Sequence, residues 1–110
     1  MSVVEPKTFK RGATFHVTLA LPTYVVAGHF AEWTPTAQLR RFEDDSARGL
    51  LADLTFEWVD PVDARSFTLT ADDTAGWPLG LAEFDVMFEH EGRKVRTKTT
   101  QIRIKRGITQ

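Results

Sequence analysis

The chain has 110 residues, of which 42% are hydrophobic and 26% are charged, and its formal net charge at pH 7 is -1. This length fits a single domain spanning residues 1–110, and eight phenylalanines and three tryptophans suffice for one core. Because cysteine is absent, a disulfide framework and a thiolate metal site are excluded, and the fold must be stabilised by packing alone.

The charge is distributed unevenly along the chain. Residues 1–42 carry five basic and two acidic side chains, residues 43–91 carry two basic and thirteen acidic ones, and residues 92–110 carry seven basic and no acidic ones. The basic last segment contains no aromatic residue that would stack on bases, and the chain as a whole is not basic. We therefore expect no nucleic-acid partner.

Residues 1–6 are predicted to be a flexible N-terminal arm. The first residues lack a basic start followed by an apolar run, and no stretch of about 18 apolar residues occurs. We therefore expect a protein made in the cytoplasm, with neither an export signal nor a membrane partner.

Residues 13–21 are predicted to form the first strand. Apolar and polar side chains alternate along this segment, which is the period of a half-buried β-strand. The inward face is predicted to hold Phe15, Val17, Leu19 and Leu21.

The long connection that follows is strongly apolar and is bounded by Pro22 and Pro35. An apolar connection either packs over the sheet or docks on a neighbouring molecule. We predict that this connection forms a protein–protein contact. The residues expected in the contact are Tyr24, Val25, Val26 and Phe30.

Two further strands are predicted at residues 36–42 and 50–60. The second has the clearer alternation, because Asp53, Thr55 and Glu57 share its outward face. Its inward face is predicted to hold Leu50, Ala52, Leu54, Phe56 and Trp58.

Residues 65–70 are predicted to be a strand, and the segment ADDTAGWPLG, residues 71–80, leads from it into the next one. Paired aspartates serve acid–base chemistry only where a pocket desolvates them. A carboxylate also caps a turn, because it accepts hydrogen bonds from the backbone N–H groups just ahead of it. We therefore predict a structural corner, with a capped helical turn and a tryptophan covering the end of the core. The corner residues are Asp72, Asp73 and Trp77.

The last two predicted strands cover residues 82–89 and 95–105, with a turn at Glu91-Gly92 between them. The two isoleucines near the end of the second strand do not share a face with Val95 near its start. This change of phase predicts a β-bulge or a bend in the middle of the strand.

The predicted fold is all-β. Six or seven short strands in about 100 residues, with turn signals about every 8 to 12 positions, are typical of an antiparallel two-sheet β-sandwich. No segment has a sustained helical period. We therefore expect an immunoglobulin-like sandwich of about seven strands, and a small closed barrel is the competing architecture.

Three features resemble small immunoglobulin-like virion proteins of tailed bacteriophages, including the N-terminal domains of baseplate proteins. They are a G-x-T-F opening at residues 12–15, a T-x-x-D-T-x-x-W-P-x-G corner at residues 70–80, and a final hairpin ending in a threonine near the C-terminus. The corner is also similar to the D-x-A-x-Y corner of antibody variable domains, with Asp73, Ala75 and Trp77 at the matching positions, although both cysteines of those domains are lacking. The resemblance covers nearly the whole chain and implies a structural role in a virion.

The expected function is therefore that of a non-enzymatic structural and assembly protein of a phage particle, in the tail or the head–tail region. Its expected location is the virion, after synthesis in the host cytoplasm. Its expected partners are other virion proteins and copies of itself. A decoration protein on the capsid is the alternative placement.

No catalytic constellation is evident in the sequence. The histidines lack the spacing of metal ligands, the serines lie outside a G-x-S-x-G elbow, and no glycine-rich phosphate loop occurs. We therefore expect no catalytic, metal-binding or cofactor-binding residue, no small-molecule substrate and no enzymatic activity. The histidines are His16, His29 and His90.

The aromatic side chains favour one alternative of another class, a carbohydrate-binding module, because exposed aromatic rings stack on sugar rings. Trp58 and Trp77 are expected in the core, which leaves the connection before Pro35 as the source of exposed rings. The candidate rings are Tyr24, Trp33, Trp58 and Trp77.

The basic last strand predicts a contact between copies. Pairing with the acids of the preceding strand neutralises only part of its positive charge. We expect copies to meet head to tail in a ring, with Arg103 and Lys105 of one copy facing the acidic middle strands of the next.

Overall fold

The computed structural model describes residues 7–42 and 49–107 of the chain, and the predicted arm 1–6 lies outside the described residues. The described residues form eight β-strands and contain no α-helix, which confirms the all-β class. The strands are β1 (Lys7–Lys10), β2 (Phe15–Ala20), β3 (Thr34–Arg41), β4 (Leu50–Trp58), β5 (Ser66–Ala71), β6 (Gly80–His90), β7 (Arg93–Arg96) and β8 (Thr100–Lys105).

The strands pair in the order β1-β8-β6-β3-β4-β5-β2, and β7 pairs with β6 beside β8. The pairing of β1 with β8 is parallel, and the other pairings are antiparallel. The two ends of this path, β1 and β2, are consecutive in the chain, and the rings of Phe9 and Phe15 on them lie 5.2 Å apart. The strands therefore form one mostly closed sheet.

Strand β4 changes partner along its length. Leu50 to Leu54 pair with β3, and Thr55 to Trp58 pair with β5. The change makes β4 the link between the β1-β8-β6-β3 part of the sheet and the β5-β2 part. Leu50 was expected inward, but it is 36% exposed, because the register of β3 and β4 shifts where Arg40 pairs with Leu50.

The predicted hairpin and bulge are confirmed in β6, β7 and β8. Glu91 and Gly92 both have positive φ, 50° and 82°, as a two-residue type I′ turn requires. Beyond β7, the N–H of Thr97 donates to the carbonyl of Val86, and the N–H of Val86 donates to the Thr97 hydroxyl, both at 2.9 Å. Two residues, 98 and 99, then oppose one residue of β6 before β8 begins, which is a β-bulge.

The core lies inside the curved sheet and follows the period of two. On β6 the buried side chains occupy alternate positions, and the same alternation places pairs of buried residues on β5 and β8. The buried residues of these three strands are Ala82, Phe84, Val86, Phe88, Phe67, Leu69, Ile102 and Ile104. β1 has no counterpart among the predicted strands, because KTFK holds one apolar residue and pairs with a strand from the other end of the chain.

The corner between β5 and β6 is held by Thr74 and Trp77. Thr74 is 1% exposed; its hydroxyl donates to the carbonyl of Ala13 at 2.6 Å and accepts from the N–H of Gly12 at 2.8 Å. Trp77 is buried, and its N–H donates to the carbonyl of Thr74, which forms a turn and not a helix. The corner is thereby tied to the β1–β2 turn.

The aspartates before Thr74 do not make the expected cap. Asp72 and Asp73 are exposed, and neither side chain forms a hydrogen bond within residues 7–42 and 49–107. The side chains point in different directions. The hydroxyl of Thr74 points back to the β1–β2 turn, whereas the two carboxylates face water. Among the described residues, the corner is therefore held by the hydroxyl of Thr74 and not by a carboxylate of Asp72 or Asp73.

Replacing Thr74 with valine will lower the free energy of unfolding by about 1 to 3 kcal/mol, because the two part-buried hydrogen bonds to Gly12 and Ala13 are lost. Asp72→Ala and Asp73→Ala are the matched controls and will stay within about 0.5 kcal/mol of the wild type. Urea unfolding measures all three. A larger loss for either aspartate variant than for Thr74→Val would contradict this assignment.

Candidate interaction surface

The connection between β2 and β3, residues 21–33, folds back on the core. Its N–H groups donate to carbonyls three residues earlier, as at Val25 and His29. Phe30 is buried, and its ring stacks on that of Phe88 with 4.6 Å between centroids. The structure therefore places Phe30 in the core and not in the predicted contact.

The connection between β4 and β5, residues 59–65, is shaped by an aspartate turn. The carboxylate of Asp60 accepts from the N–H of Val62 at 3.0 Å, and the carbonyl of Asp60 accepts from the N–H of Ala64 at 2.7 Å. Ala64 is fully buried and has a φ of 47°. This connection is therefore fixed by its own hydrogen bonds.

These two connections are hydrogen-bonded to each other. The N–H of Gly28 donates to the carbonyl of Asp63 at 2.6 Å, and the N–H of Leu21 donates to the carbonyl of Arg65 at 2.7 Å. The guanidinium of Arg65 donates to the carbonyl of Val25. We call this unit of residues 21–33 and 59–65 the loop end of the molecule.

Large hydrophobic side chains of the loop end project into solvent. Tyr24 is 85% exposed, Val26 72%, Val59 61% and Val62 86%, and we call these four residues the loop-end surface. They are half of the eight large hydrophobic side chains that are exposed among the described residues. Because exposed apolar groups gathered on one part of a protein mark contact sites, the loop-end surface is the candidate interaction surface.

The sequence pattern identified half of the loop-end surface. Tyr24 and Val26 belong to the predicted contact, whereas Val25 is half-buried and packs against the core. Val59 and Val62 were missed because each is a single apolar residue in the acidic segment VDPVD, which has no period. The two connections come together only in the folded chain. The sequence alone therefore does not show that Val59 and Val62 belong to the same surface as Tyr24 and Val26.

The turn between β6 and β7 lies at the same end of the molecule. The ring of Trp33 lies 6.0 Å from that of His29 and 5.4 Å from that of His90, which precedes this turn. Trp33 is half-buried between them. Of the four candidate rings for sugar stacking, Tyr24 is therefore the exposed one, since Trp77 is buried and Trp58 is packed against Phe88.

The two basic residues predicted to contact another copy lie on β8. Arg103 and Lys105 are both exposed, and neither belongs to an ion pair within the described residues, where Arg96 pairs with Asp85 at 3.7 Å. The acidic residue Asp53 lies on β4, which is three strands away from β8. At about 4.8 Å per strand, the distance between Asp53 and the two bases of β8 exceeds the screening length of about 8 Å. Asp53 therefore does not neutralise the charge of Arg103 or Lys105 in the same copy.

A shallow polar groove of about 490 Å³ lies over β3, β6 and the bulge after β7. Its side chains are tied to their neighbours: Gln38 donates to Asp53 at 3.0 Å, and Arg40 donates to Gln38 at 3.0 Å. No cluster of three or more histidine, aspartate or glutamate side chains suited to a metal ion occurs in residues 7–42 and 49–107. No helix in the same residues is long and apolar enough to cross a membrane.

No protein-family model matches the chain, and no curated protein matches it.

Gly28→Ala will lower the free energy of unfolding by about 1 to 2 kcal/mol, because φ is positive there and a methyl group strains that conformation. The φ is 78°, and the added carbon would lie 3.3 Å from the carbonyl oxygen of Val62. Gly76→Ala is the matched control, since nothing lies within 4 Å and no positive φ is required; its change should stay within about 0.5 kcal/mol. Equal effects in urea unfolding would contradict the described contact between the two connections.

Proposed function

We propose that this chain is a non-enzymatic structural and assembly protein of a tailed-bacteriophage particle, located in the virion. It acts by contacting other virion proteins and copies of itself in the tail or the head–tail region. The observation that carries this proposal is the loop-end surface, where four large apolar side chains are exposed on two hydrogen-bonded connections. A docking surface of this kind needs no cofactor and no bound small molecule.

We infer that the sheet packs as an immunoglobulin-like sandwich. One layer consists of β1, β8, β6, β3 and the first half of β4, and the other consists of the second half of β4, β5 and β2. The change of partner within β4 supports this division. The meeting of the β2–β3, β4–β5 and β6–β7 connections at one end also supports it, because immunoglobulin-like variable domains recognise partners with loops at one end.

Two alternatives to this function can be tested by experiment. A decoration protein on the capsid would use the same surface at a different place in the particle. A carbohydrate-binding module is favoured by one observation, the exposed ring of Tyr24. Binding to a glycan array that is lost in Tyr24→Ala would support the module and would contradict the assembly role.

Val26→Ser combined with Val62→Ser will reduce incorporation into particles at least about tenfold, because central apolar contacts dominate the stability of an interface. Both side chains are exposed in the free protein, so its melting temperature will fall by less than about 2 °C. The measurement is the fraction of tagged protein that sediments with particles of the phage that encodes the chain.

Leu50→Ser combined with Leu79→Ser is the matched control, because both leucines are exposed but lie away from the loop end. This control should join particles normally. If both double variants join normally, or if both lose incorporation and melting temperature together, the loop-end surface is not the docking site. Phe30→Ser serves as the core reference, since it will destabilise the domain by about 3 kcal/mol or more.

A second contact in the same proposal uses the basic strand β8. Arg103→Glu combined with Lys105→Glu will abolish a head-to-tail association of copies that weakens as salt is raised, because its attraction is electrostatic. Sedimentation velocity at low and high ionic strength measures this effect. A wild-type protein whose sedimentation does not change with salt, together with normal incorporation of the double variant, would show that this contact does not exist.

A further inference from the structure

Strand β2 ends the path of the sheet, and one of its edges is unpaired among the described residues. It pairs with β5 on one side, and no other strand pairs with it within residues 7–42 and 49–107. The N–H of Leu21 donates to the carbonyl of Arg65, directly after the pair of Ala20 with Ser66. Hydrogen-bonded residues alternate along an antiparallel ladder. The backbone groups of alternate residues of β2 therefore point away from β5, and these residues are His16, Thr18 and Ala20.

The chemistry of this edge differs from that of the other edges. Sheet proteins commonly protect an edge with lysine, arginine or proline, because an open edge pairs with other strands. β7 has three basic residues among its four, and β1 has two lysines among its four. β2, with the sequence FHVTLA, has no lysine, arginine, aspartate, glutamate or proline. In the part of the chain that the structure describes, it is therefore an open edge without charge protection.

The inward side of the same edge is incompletely covered. Val17 and Leu19 face the core but are only half-buried, whereas Phe67 and Leu69 opposite them on β5 are fully buried. A strand added beside β2 would bring apolar side chains next to these two and remove them from water. The edge thus offers both unpaired backbone groups and uncovered apolar surface.

From these observations we infer that β2 pairs with β2 of a second copy of this chain, antiparallel and across a twofold axis at Thr18. Centred there, Thr18 pairs with Thr18 of the partner, and His16 pairs with Ala20 of the partner. Each outward N–H and C=O group of β2 then has a partner. On the other face, Val17 of one copy lies beside Leu19 of the other.

The side chains of the edge strands favour a second copy of the chain as the partner of the β2 edge. Pairing β1 with β1 or β7 with β7 in the same way would place lysine and arginine side chains opposite one another, which is unfavourable. β2 meets itself without any like charges, and the threonines at the axis form a favourable cross-strand pair. The contact is isologous, so it closes as a dimer, whereas the β8 contact is heterologous. It depends on strand pairing alone and not on the proposed virion role.

The test uses the full chain, which contains no cysteine of its own. Thr18→Cys places the two sulfur-bearing residues of a dimer on opposite strands with about 5.5 Å between Cα atoms, a separation that a disulfide spans. Thr55→Cys is the matched control, because Thr55 is also an exposed threonine but lies on β4, which is two strands away from β2 in the sheet. Mild oxidation followed by non-reducing electrophoresis should give a covalent dimer for Thr18→Cys and monomer for Thr55→Cys.

A non-covalent comparison completes the test. Thr18→Lys brings two ammonium groups together at the axis and should raise the dimer dissociation constant at least about tenfold, while Thr55→Lys should leave it unchanged. Because the pairing is by backbone hydrogen bonds, the wild-type dimer should persist at high salt, which separates it from the β8 contact. A monomeric wild type at NMR concentrations would overturn the inference. So would equal cross-linking of both cysteine variants, or a dimer that Thr18→Lys does not weaken.

Discussion

The ring of Phe88 is the contact on which the loop end depends. It is fully buried near the end of β6, stacks on Phe30 at 4.6 Å and on Trp58 at 5.8 Å, and meets Phe56 and Phe67 edge to face. Phe30 belongs to the β2–β3 connection, and Trp58 immediately precedes the β4–β5 connection. One core side chain thus fixes the positions from which both connections leave the sheet. Their mutual hydrogen bonds then hold them together, and they present the loop-end surface in a preformed state.

The apolar residues fall into two groups: buried residues that stabilise the core, and exposed residues that form the loop-end surface. The strands supply the core through side chains that alternate inward, and their aromatic rings pack edge to face or stacked. The four residues of the loop-end surface lie outside the strands, are exposed and do not contribute to the core. A surface that is ordered before binding loses less conformational entropy when a partner docks. The loop-end surface, the bases of β8 and the edge of β2 belong to different elements, so the proposed heterologous and isologous contacts would not compete for the same residues.

Most of the strands could be predicted from the sequence because a half-buried strand leaves a period of two, as in residues 82–89, which lie within β6. β1 left no such period and pairs with a distant strand. Within the apolar connection, Phe30 and Tyr24 have similar sequence surroundings, yet one is in the core and the other is exposed, since an irregular connection has no face. At the corner, the side chain of Thr74, and not that of Asp73, forms the hydrogen bonds that hold the turn. Its partners, Gly12 and Ala13, are far away in sequence, so the local pattern does not reveal them.

The central claim is that the loop end is ordered before any partner binds. Amide hydrogen exchange of the free protein tests this claim most directly. The N–H groups of Gly28 and Ala64 donate across and within the two connections at 2.6 and 2.7 Å. Both should exchange at least about a hundredfold more slowly than amides of an unstructured chain, close to the amides of β5. Exchange of these two amides at the unprotected rate, while the β5 amides stay protected, would contradict the account.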